Sequence, residues 1–319
     1  MTEKFNKCKK NSRKIVTILL VSLLLTGCET DISVFDNYEI PLSQSSEQDI
    51  SEGTTADNID SEFLSADICV VPKKKQSQKD SFMTAGASLI FDNTHNKMLY
   101  ADNIYTKMYP ASTTKIVTAL VALKYGNLND EVTISYNATH INEYGAKLCG
   151  FAEGDKITLK KLLYSFLICS GNDAGIAIAE HIAGSVDKFA AMMNKEVKAL
   201  GCSGSNFVNP HGLHDDNHYT TPYDLYLVFH ELLKYDVFMD IINHSSYKAE
   251  FNGADGNKKT LWFTSTDKYL LGSAKAPEGV TVIGGKTGTT SMAGSNLILY
   301  SKNSNGNSYI SVVMHASDS

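Results

Sequence analysis

The sequence is poor in arginine, in long apolar runs and in closely paired cysteines, and each shortage excludes a class of protein. Arg13 is the only arginine among 319 residues, so the rest of the chain must hold any anion with lysine, hydroxyl groups or backbone amides. No apolar run approaches the ~20 residues of a membrane-spanning helix, which excludes a polytopic membrane protein. No C-x-x-C pair occurs, which disfavours a zinc ribbon.

The charge is unevenly distributed along the chain. The formal net charge is −6, but residues 1–14 carry six basic side chains and one acidic one, so the remainder carries −11. An acidic chain without arginine is a poor binder of nucleic acid, and we expect no such partner. With 43% apolar and 20% charged residues, the composition also excludes a disordered or collagen-like protein.

The N-terminus has the pattern of an exported, lipid-anchored protein. The basic stretch precedes the apolar run Ile15–Leu25, which has the length of a signal-peptide core. The segment Leu25-Thr26-Gly27-Cys28 that follows resembles the lipobox of bacterial lipoproteins. We therefore predict a signal peptide over residues 1–27, lipidation of Cys28 and attachment to the outer face of a bacterial cell membrane. The alternative is an ordinary signal peptide with an unmodified cysteine.

A polar segment separates this anchor from the folded part. Residues 29–67 contain eleven acidic side chains and no lysine, a composition typical of an extended, self-repelling linker. We predict an acidic disordered tether over residues 28–81 and one catalytic domain over residues 82–319. Four further cysteines permit three disulfide pairings, of which Cys169 is expected to be a buried thiol; they are Cys69, Cys149, Cys169 and Cys202.

The rest of the chain predicts an α+β fold. Ala87–Asp92 and Lys97–Ala101 have the pattern of a hairpin. A block of helices is expected next, and strands near the C-terminus complete an antiparallel sheet that the first hairpin must join. The predicted helices cover Ile116–Leu123, a segment from Thr158, Asp173–Ala183, Ser185–Leu200 and a segment from Thr221, and the predicted strands cover Val280–Ile283, Asn296–Tyr300 and Tyr309–Met314.

The first chemical motif is Ser112-Thr113-Thr114-Lys115 at the start of a predicted helix. Positions i and i+3 share one helix face, so the lysine amine can approach the serine hydroxyl. A serine becomes a good nucleophile only when a neighbouring base takes its proton, and a desolvated lysine with a lowered pKa can do so.

Two more motifs follow. Ser170-Gly171-Asn172 lies between two predicted helices and offers a hydroxyl and an amide that can contact the nucleophile and a substrate. Lys286-Thr287-Gly288-Thr289 follows an apolar strand and offers a lysine and hydroxyls to a carboxylate. A phosphate-binding loop is the competing interpretation of the third motif, but it requires glycine at the position of Val280 and a following helix.

The order S-x-x-K, S-x-N, K-T-G makes the chain similar to the serine D-Ala-D-Ala carboxypeptidases, the low-molecular-mass penicillin-binding proteins. The resemblance covers nearly all of residues 85–316. It implies the α+β fold of β-lactamases and penicillin-binding proteins, in which an antiparallel sheet packs against a helical cluster in one catalytic domain. The matching segments are 110–115, 170–174, 207–213, 219–221 and 285–288.

The resemblance also implies a mechanism. Ser112 attacks the penultimate D-alanine carbonyl of a peptidoglycan stem peptide with Lys115 as base, and water then hydrolyses the acyl-enzyme. Ser170 relays protons, and Asn172 binds the substrate amide. β-Lactam antibiotics acylate the same serine, and no cofactor or metal is required. The implied carboxylate site comprises Lys286, Thr287, Gly288 and Thr289, and the implied oxyanion hole comprises the backbone amides of Ser112 and Thr289.

Some features depart from the family or compete with its chemistry. Members often carry a second, all-β domain or a C-terminal amphipathic helix; this chain ends at Ser319, and we expect a monomer anchored by its N-terminal lipid. A zinc site is conceivable near residues 211–218, but the spacing lacks the i, i+4 pair of a helical zinc motif. Its candidate ligands are His211, His214, Asp215, Asp216 and His218.

Two other functions stay open at this point. A class A β-lactamase shares the first and third motifs, but it needs a deacylating glutamate, and no E-x-x-L-N segment lies between Ser170 and Lys286. A penicillin-acylated sensor domain with little turnover would retain all three motifs. The residues also do not separate carboxypeptidase from endopeptidase activity.

Overall fold

The structure, a computed structural model, describes residues 76, 77, 79, 81, 83–143 and 145–317. All of them belong to one unit of the chain, residues 61–319. The predicted signal peptide, Cys28, Cys69 and nearly all of the predicted tether lie outside the described residues. Within the described part of the chain, no helix is long and apolar enough to cross a membrane.

The larger sheet has five antiparallel strands in the order β2-β1-β9-β8-β7. The predicted hairpin forms β1 and β2 and joins the last strand, β9, with Leu89 opposite Val312. The expected closure of the sheet by the first hairpin is thereby confirmed. The strands are β1 (Ala87–Asp92), β2 (Lys97–Asp102), β7 (Val280–Thr290), β8 (Gly294–Asn303) and β9 (Ser308–Ala316).

The helical block lies between these strands in sequence. The predicted helices all form, and the side chains of Thr158 and Thr221 cap two of them. The helices are α1 (Lys115–Tyr125), α2 (Tyr136–Thr139), α3 (Leu159–Cys169), α4 (Asn172–Ala183), α5 (Val186–Ala199), α6 (Pro222–Leu232) and α7 (Asp236–Ile242).

A second antiparallel sheet, in the order β3-β4-β5-β6, was not expected from the sequence. Two of its strands are only three residues long. β5 alternates apolar with polar residues, and β6 has only the three adjacent apolar residues Leu261, Trp262 and Phe263. Phe251 and Phe263 are nevertheless buried, which fixes the register of this hairpin. The strands are β3 (Glu131–Thr133), β4 (Lys156–Thr158), β5 (Ser246–Asn252) and β6 (Lys258–Thr264).

Helix α1 is the central element of the core. Its residues from Lys115 to Ala122 are all buried, and α3, α4, α5 and α6 pack around it. An element that is apolar on every side must be surrounded in this way. The N-terminus of α1 points toward β7, so the position of α1 determines where the first motif meets the third.

Candidate active site

Ser112 lies in a single 3₁₀ turn, Ala111–Thr114, that leads directly into α1. The preceding residue, Ala111, has a φ of 48°, a left-handed conformation that costs a non-glycine residue roughly 1–3 kcal/mol. The Thr114 hydroxyl donates to the Ala111 carbonyl at 2.8 Å. Gly212 packs so closely that a Cβ there would lie 1.9 Å from the same oxygen. The turn that carries the serine is therefore strained and is held by the loop that contains Gly212.

Lys115 is the first residue of α1 and is fully buried. Its amine donates to Ser112 Oγ at 2.9 Å, to Asn172 Oδ1 at 2.8 Å and to the His211 carbonyl at 2.6 Å. Burial lowers the pKa of Lys115 well below its ordinary 10.5, and the charge of Lys286 lowers it further. A neutral amine has two protons and a lone pair, so in the same geometry it can accept the proton of Ser112.

Ser170 and Asn172 lie at the junction of α3 and α4. Ser170 ends α3 in a left-handed conformation, with φ 66°. Its hydroxyl is buried and has no hydrogen-bond partner among the described residues. Because an unpaired buried hydroxyl costs free energy, such a group is characteristic of a catalytic or binding role. Asn172 Oδ1 accepts from Lys115, so the second motif contacts the first directly.

Asp173 is a site residue that motif reasoning missed as a separate functional group. Its carboxylate accepts from the backbone amides of Cys149 at 2.7 Å and Gly150 at 2.9 Å. The Asn172 amide in turn donates to the Lys147 carbonyl at 2.7 Å. The loop of residues 147–151 is therefore fastened to the second motif. The only signal in the sequence was the acidic residue in the first turn of α4.

Lys286 lies on β7, which continues through the third motif to Thr290 instead of ending before it. The side chain is buried, and its amine donates to the Thr287 carbonyl at 2.8 Å. Burial lowers the pKa of Lys286 to about 7, and the charge of Lys147 contributes to the same shift. A lysine that titrates near neutrality can bind a carboxylate at low pH and lose that ability as the pH rises.

The other residues of the third motif divide between the two faces of β7. Gly288 shares a face with Lys286, whereas Thr287 and Thr289 lie on the opposite face. Thr287 is half-buried and Thr289 is exposed. The Thr287 hydroxyl lies 2.5 Å from the Thr266 hydroxyl, a partner that nothing in the sequence indicated.

β7 meets the nucleophile turn at Gly288. A Cβ on Gly288 would lie 2.8 Å from both the Ser112 and Thr113 nitrogens, so glycine allows the two backbones to approach each other. β7 is also an edge strand of its sheet and can accept an extended peptide along its length. The predicted oxyanion donors, the amides of Ser112 and Thr289, therefore belong to neighbouring segments.

His218 supports the nucleophile turn through its side chain, and His211 accepts from the Lys115 amine through its backbone carbonyl. His218 Nδ1 accepts from the Val208 amide at 3.1 Å, and its Nε2 lies 2.7 Å from the Thr114 hydroxyl. Burial lowers the pKa of His218 to about 4 and that of His211 to about 3, so both are neutral at pH 7. Among the described residues, no group of three or more potential ligands could hold a metal ion.

The fold and this site together define the class of protein. A serine paired with a buried lysine and a second serine with an asparagine lie in one site, and a lysine on an edge strand is near enough for its charge to lower the pKa of the first lysine. The chain belongs to the D-alanyl-D-alanine carboxypeptidase family, which matches residues 73–318. This match confirms the family resemblance found in the sequence.

Particular relatives carry the same name. The D-alanyl-D-alanine carboxypeptidase DacF of Bacillus subtilis is 34% identical over 191 residues, which are 58% of this chain and 47% of the relative. DacA of Haemophilus influenzae is 33% identical over 238 residues, 73% of this chain and 57% of the relative. The chain thus spans about half the length of the curated relatives it matches.

Solved structures agree with the fold prediction. The Streptomyces K15 DD-transpeptidase has a TM-score of 0.69 at 26% identity, covering 76% of this chain and 93% of its own. Penicillin-binding protein 5 of Haemophilus influenzae has a TM-score of 0.65 at 29% identity, covering 76% and 68% respectively. The predicted α+β class, with antiparallel strands and a helical cluster, is confirmed.

Proposed function

We propose that this chain is a serine D-Ala-D-Ala carboxypeptidase that removes the terminal D-alanine from peptidoglycan stem peptides. The observation that carries the proposal is the contact of the fully buried Lys115 amine with Ser112 Oγ at 2.9 Å. Because burial lowers the pKa of this lysine, it can act as the general base that a serine nucleophile requires.

The acylation step follows from this geometry. Neutral Lys115 takes the proton of Ser112 while Ser112 Oγ forms a bond to the penultimate D-alanine carbonyl carbon. Asn172 Oδ1 is engaged by Lys115, so the Nδ2 group of Asn172 is the donor to a substrate carbonyl. Ser170, whose buried hydroxyl lies at the same junction, relays a proton to the departing D-alanine amine. Water then hydrolyses the ester and restores Ser112.

Strand β7 and its K-T-G motif bind the substrate. The peptide lies along the edge of β7, and the backbone amides of Ser112 and Thr289 stabilise the oxyanion. Loss of one such donor typically costs about 2.7–4 kcal/mol in the activation barrier. Lys286 provides the positive charge for the terminal carboxylate, with Thr287, Gly288 and Thr289 beside it on the strand. β-Lactam antibiotics mimic the same dipeptide and acylate Ser112.

A direct assay tests this function. The full chain is incubated with diacetyl-Lys-D-Ala-D-Ala and, separately, with a fluorescent penicillin, alongside the Ser112→Ala variant. We expect release of D-alanine and covalent labelling, both lost in the variant. Rapid penicillin hydrolysis without peptide cleavage would contradict the proposal and support a β-lactamase. Stable labelling without turnover of either compound would support a sensor domain.

The N-terminal pattern supports a location for this activity. We infer that Cys28 is diacylated after removal of residues 1–27 and that the enzyme works as a monomer on the outer face of the bacterial membrane. Two acyl chains give stable attachment, whereas one chain gives only marginal binding. Cys28→Ala should transfer the protein from the membrane fraction to the soluble fraction. Retention of the variant in the membrane fraction would contradict the lipid anchor.

A further inference from the structure

Two cysteines lie in contact beside the active site. Cys149 Sγ is 3.2 Å from Cys169 Sγ, about 1.2 Å farther apart than the sulfur atoms of a disulfide. Cys149 is buried in the loop of residues 147–151, and Cys169 is the half-buried last residue of α3. Cys169 was expected to be a buried thiol, and its partial exposure corrects that expectation.

Both cysteines lie next to the second motif, Ser170-Gly171-Asn172. Cys169 directly precedes Ser170, and Cys149 packs against Gly171, where a Cβ would lie 2.3 Å from Cys149 Sγ. The Cys149 amide donates to Asp173 at 2.7 Å. A bond between the sulfur atoms would therefore connect the loop to the junction that carries Ser170 and Asn172.

We propose that Cys149 and Cys169 form a reversible disulfide that fixes the loop of residues 147–151 against the second motif and raises the acylation rate of Ser112. The oxidant is a low-molecular-mass disulfide. The Cys169 thiolate attacks one of its sulfur atoms and releases one thiol. Cys149 then loses its proton and attacks the mixed disulfide at Cys169, which releases a second thiol. Two electrons pass from the two cysteines to the oxidant.

The electrostatics of the pair suit this order of events. The hydrogen bond from Cys149 lowers the pKa of Cys169, whereas burial raises the pKa of Cys149. Cys169 is thus the nucleophile and Cys149 the proton donor. The groups that face Lys115 are Lys286, Cys149, Cys169 and Asp173, together with the neutral His211 and His218, and those that face Lys286 are Lys147, Cys169 and Asp267.

Oxidation changes the charge that both lysines face. A negative charge on Cys169 raises the pKa of Lys115 and of Lys286. A disulfide carries no charge, so oxidation of a Cys169 thiolate removes this effect and lowers the pKa of both lysines. More of Lys115 is then in the neutral form that accepts the serine proton, and the pH profile of acylation moves to lower pH. A disulfide that only restrained the loop, without affecting the pKa of Lys115, would leave the pH profile of acylation unchanged.

The first test concerns the bond and does not depend on the proposed function. The full chain is equilibrated with oxidised or reduced glutathione, alkylated and digested without reduction. We expect a cross-linked peptide that contains Cys149 and Cys169 in the oxidised sample only, together with a melting temperature about 5 °C higher. Absence of this peptide at every glutathione ratio would overturn the proposal.

The second test concerns the site and rests on the proposed function. Acylation by a fluorescent penicillin is measured across pH in both redox states, for the wild type and for Cys149→Ser, Cys169→Ser and Cys202→Ser. Cys202 is the matched control, since it is buried beside the Asp224 carbonyl. The wild type and Cys202→Ser should lose about threefold in rate on reduction, with the pH profile shifting upward, and the other two variants should not respond.

The outcomes separate the two proposals. A disulfide that forms without changing the rate would overturn the proposed effect on acylation, and a change in rate with an unchanged pH profile would overturn the effect on the pKa of Lys115. Absence of labelling in both redox states would contradict the proposed function, and the peptide map and melting temperature would still decide whether the bond forms and tightens the loop.

Discussion

The two lysines of the active site are held in different ways. Lys115 lies on the helical side, formed by α1, α4 and the loop of His211, and Lys286 lies on the sheet side, formed by β7. On the helical side, the Lys115 amine has three acceptors within 2.9 Å, on the nucleophile turn, on α4 and on the loop of His211. On the sheet side, Lys286 donates to a carbonyl of its own strand. Both side chains are buried, and burial lowers the pKa of both.

This difference separates two tasks. The base and the nucleophile must be placed before substrate arrives, because a small displacement of a reacting group is costly. In the proposed mechanism, Lys286 must instead exchange its hydrogen bond to the Thr287 carbonyl for the substrate carboxylate. We therefore expect substitutions on the helical side to reduce the rate of acylation, and substitutions on the sheet side to change the concentration of substrate required.

The largest effect is expected from Lys115→Met. Removal of the amine leaves Ser112 without its base and leaves buried acceptors on Asn172 and His211 unpaired. The acylation rate should fall by about 10³-fold with little change in KM for the peptide. Stopped-flow measurement with a fluorescent penicillin tests the rate, and circular dichroism checks that the variant is folded. A reduction of less than tenfold would contradict the role of Lys115 as base.

Gly212→Ala tests whether the nucleophile turn depends on the loop behind it. The new Cβ would lie 1.9 Å from the Ala111 carbonyl, and the residue has a φ of 88°, so the turn must shift. We expect about a 10²-fold loss in acylation rate. Gly201→Ala is the matched control, because Gly201 has a φ of 83° and nothing within 4 Å of a Cβ. Equal losses in both variants would show that backbone strain alone is responsible.

The pH dependence tests the sheet side. Since the pKa of Lys286 is about 7, its positive charge is lost as the pH rises through this value. KM for diacetyl-Lys-D-Ala-D-Ala should rise by about tenfold between pH 6 and pH 9. Lys286→Arg keeps its charge throughout and should remove this rise. A KM of the wild type that is constant over this range would contradict the assignment.

The same shift has a consequence for stability. The folded protein releases the Lys286 proton near pH 7, whereas the unfolded chain keeps it until about 10.5. Between these values the unfolded state binds more protons, so the free energy of unfolding should increase with pH. Urea denaturation of the wild type and of Lys286→Met measures this, and we expect a smaller slope in the variant. Equal slopes would mean that Lys286 is not the group responsible.

The smallest effect is expected from Thr266→Val. This change removes the hydroxyl that contacts Thr287 while keeping the shape of the side chain. Loss of a neutral hydrogen bond of about 1 kcal/mol should raise KM by about twofold to fivefold and leave the acylation rate at saturation unchanged. Thr264→Val, at the exposed end of β6 two residues before Thr266, should change neither value. A reduced acylation rate at saturating substrate would contradict the assignment of Thr266 to substrate binding.

Much of the fold could be predicted because its signals are local. The capped starts at Thr158 and Thr221 and the apolar run of β1 each depend on a few neighbouring residues. The second sheet was missed because β3 and β4 are three residues long and are stabilised by pairing with partners distant in the chain. Such strands have too little local pattern to be recognised.

The folded part also has contacts within the segment assigned to the tether. The Ser77 amide donates to the Ala101 carbonyl at 2.6 Å, and the Ile104 amide donates to the Gln76 side chain at 3.1 Å. These bonds join residues upstream of position 82 to β2 and the loop after it. Sequence composition could not indicate them, because backbone amides and carbonyls are present in every residue.

The sequence by itself determined the chemical groups: Ser112, Lys115, Ser170, Asn172 and Lys286, in an order that identifies the family. It also contains a single arginine, Arg13, and for this reason we predict that a lysine binds the carboxylate. The tertiary structure decided the state of those groups. Burial lowers the pKa of both lysines, Gly212 and His218 support the nucleophile turn, and Asp173 holds Cys149 beside Cys169 and the second motif. These properties depend on distance and desolvation, which arise only when segments far apart in the chain are packed together.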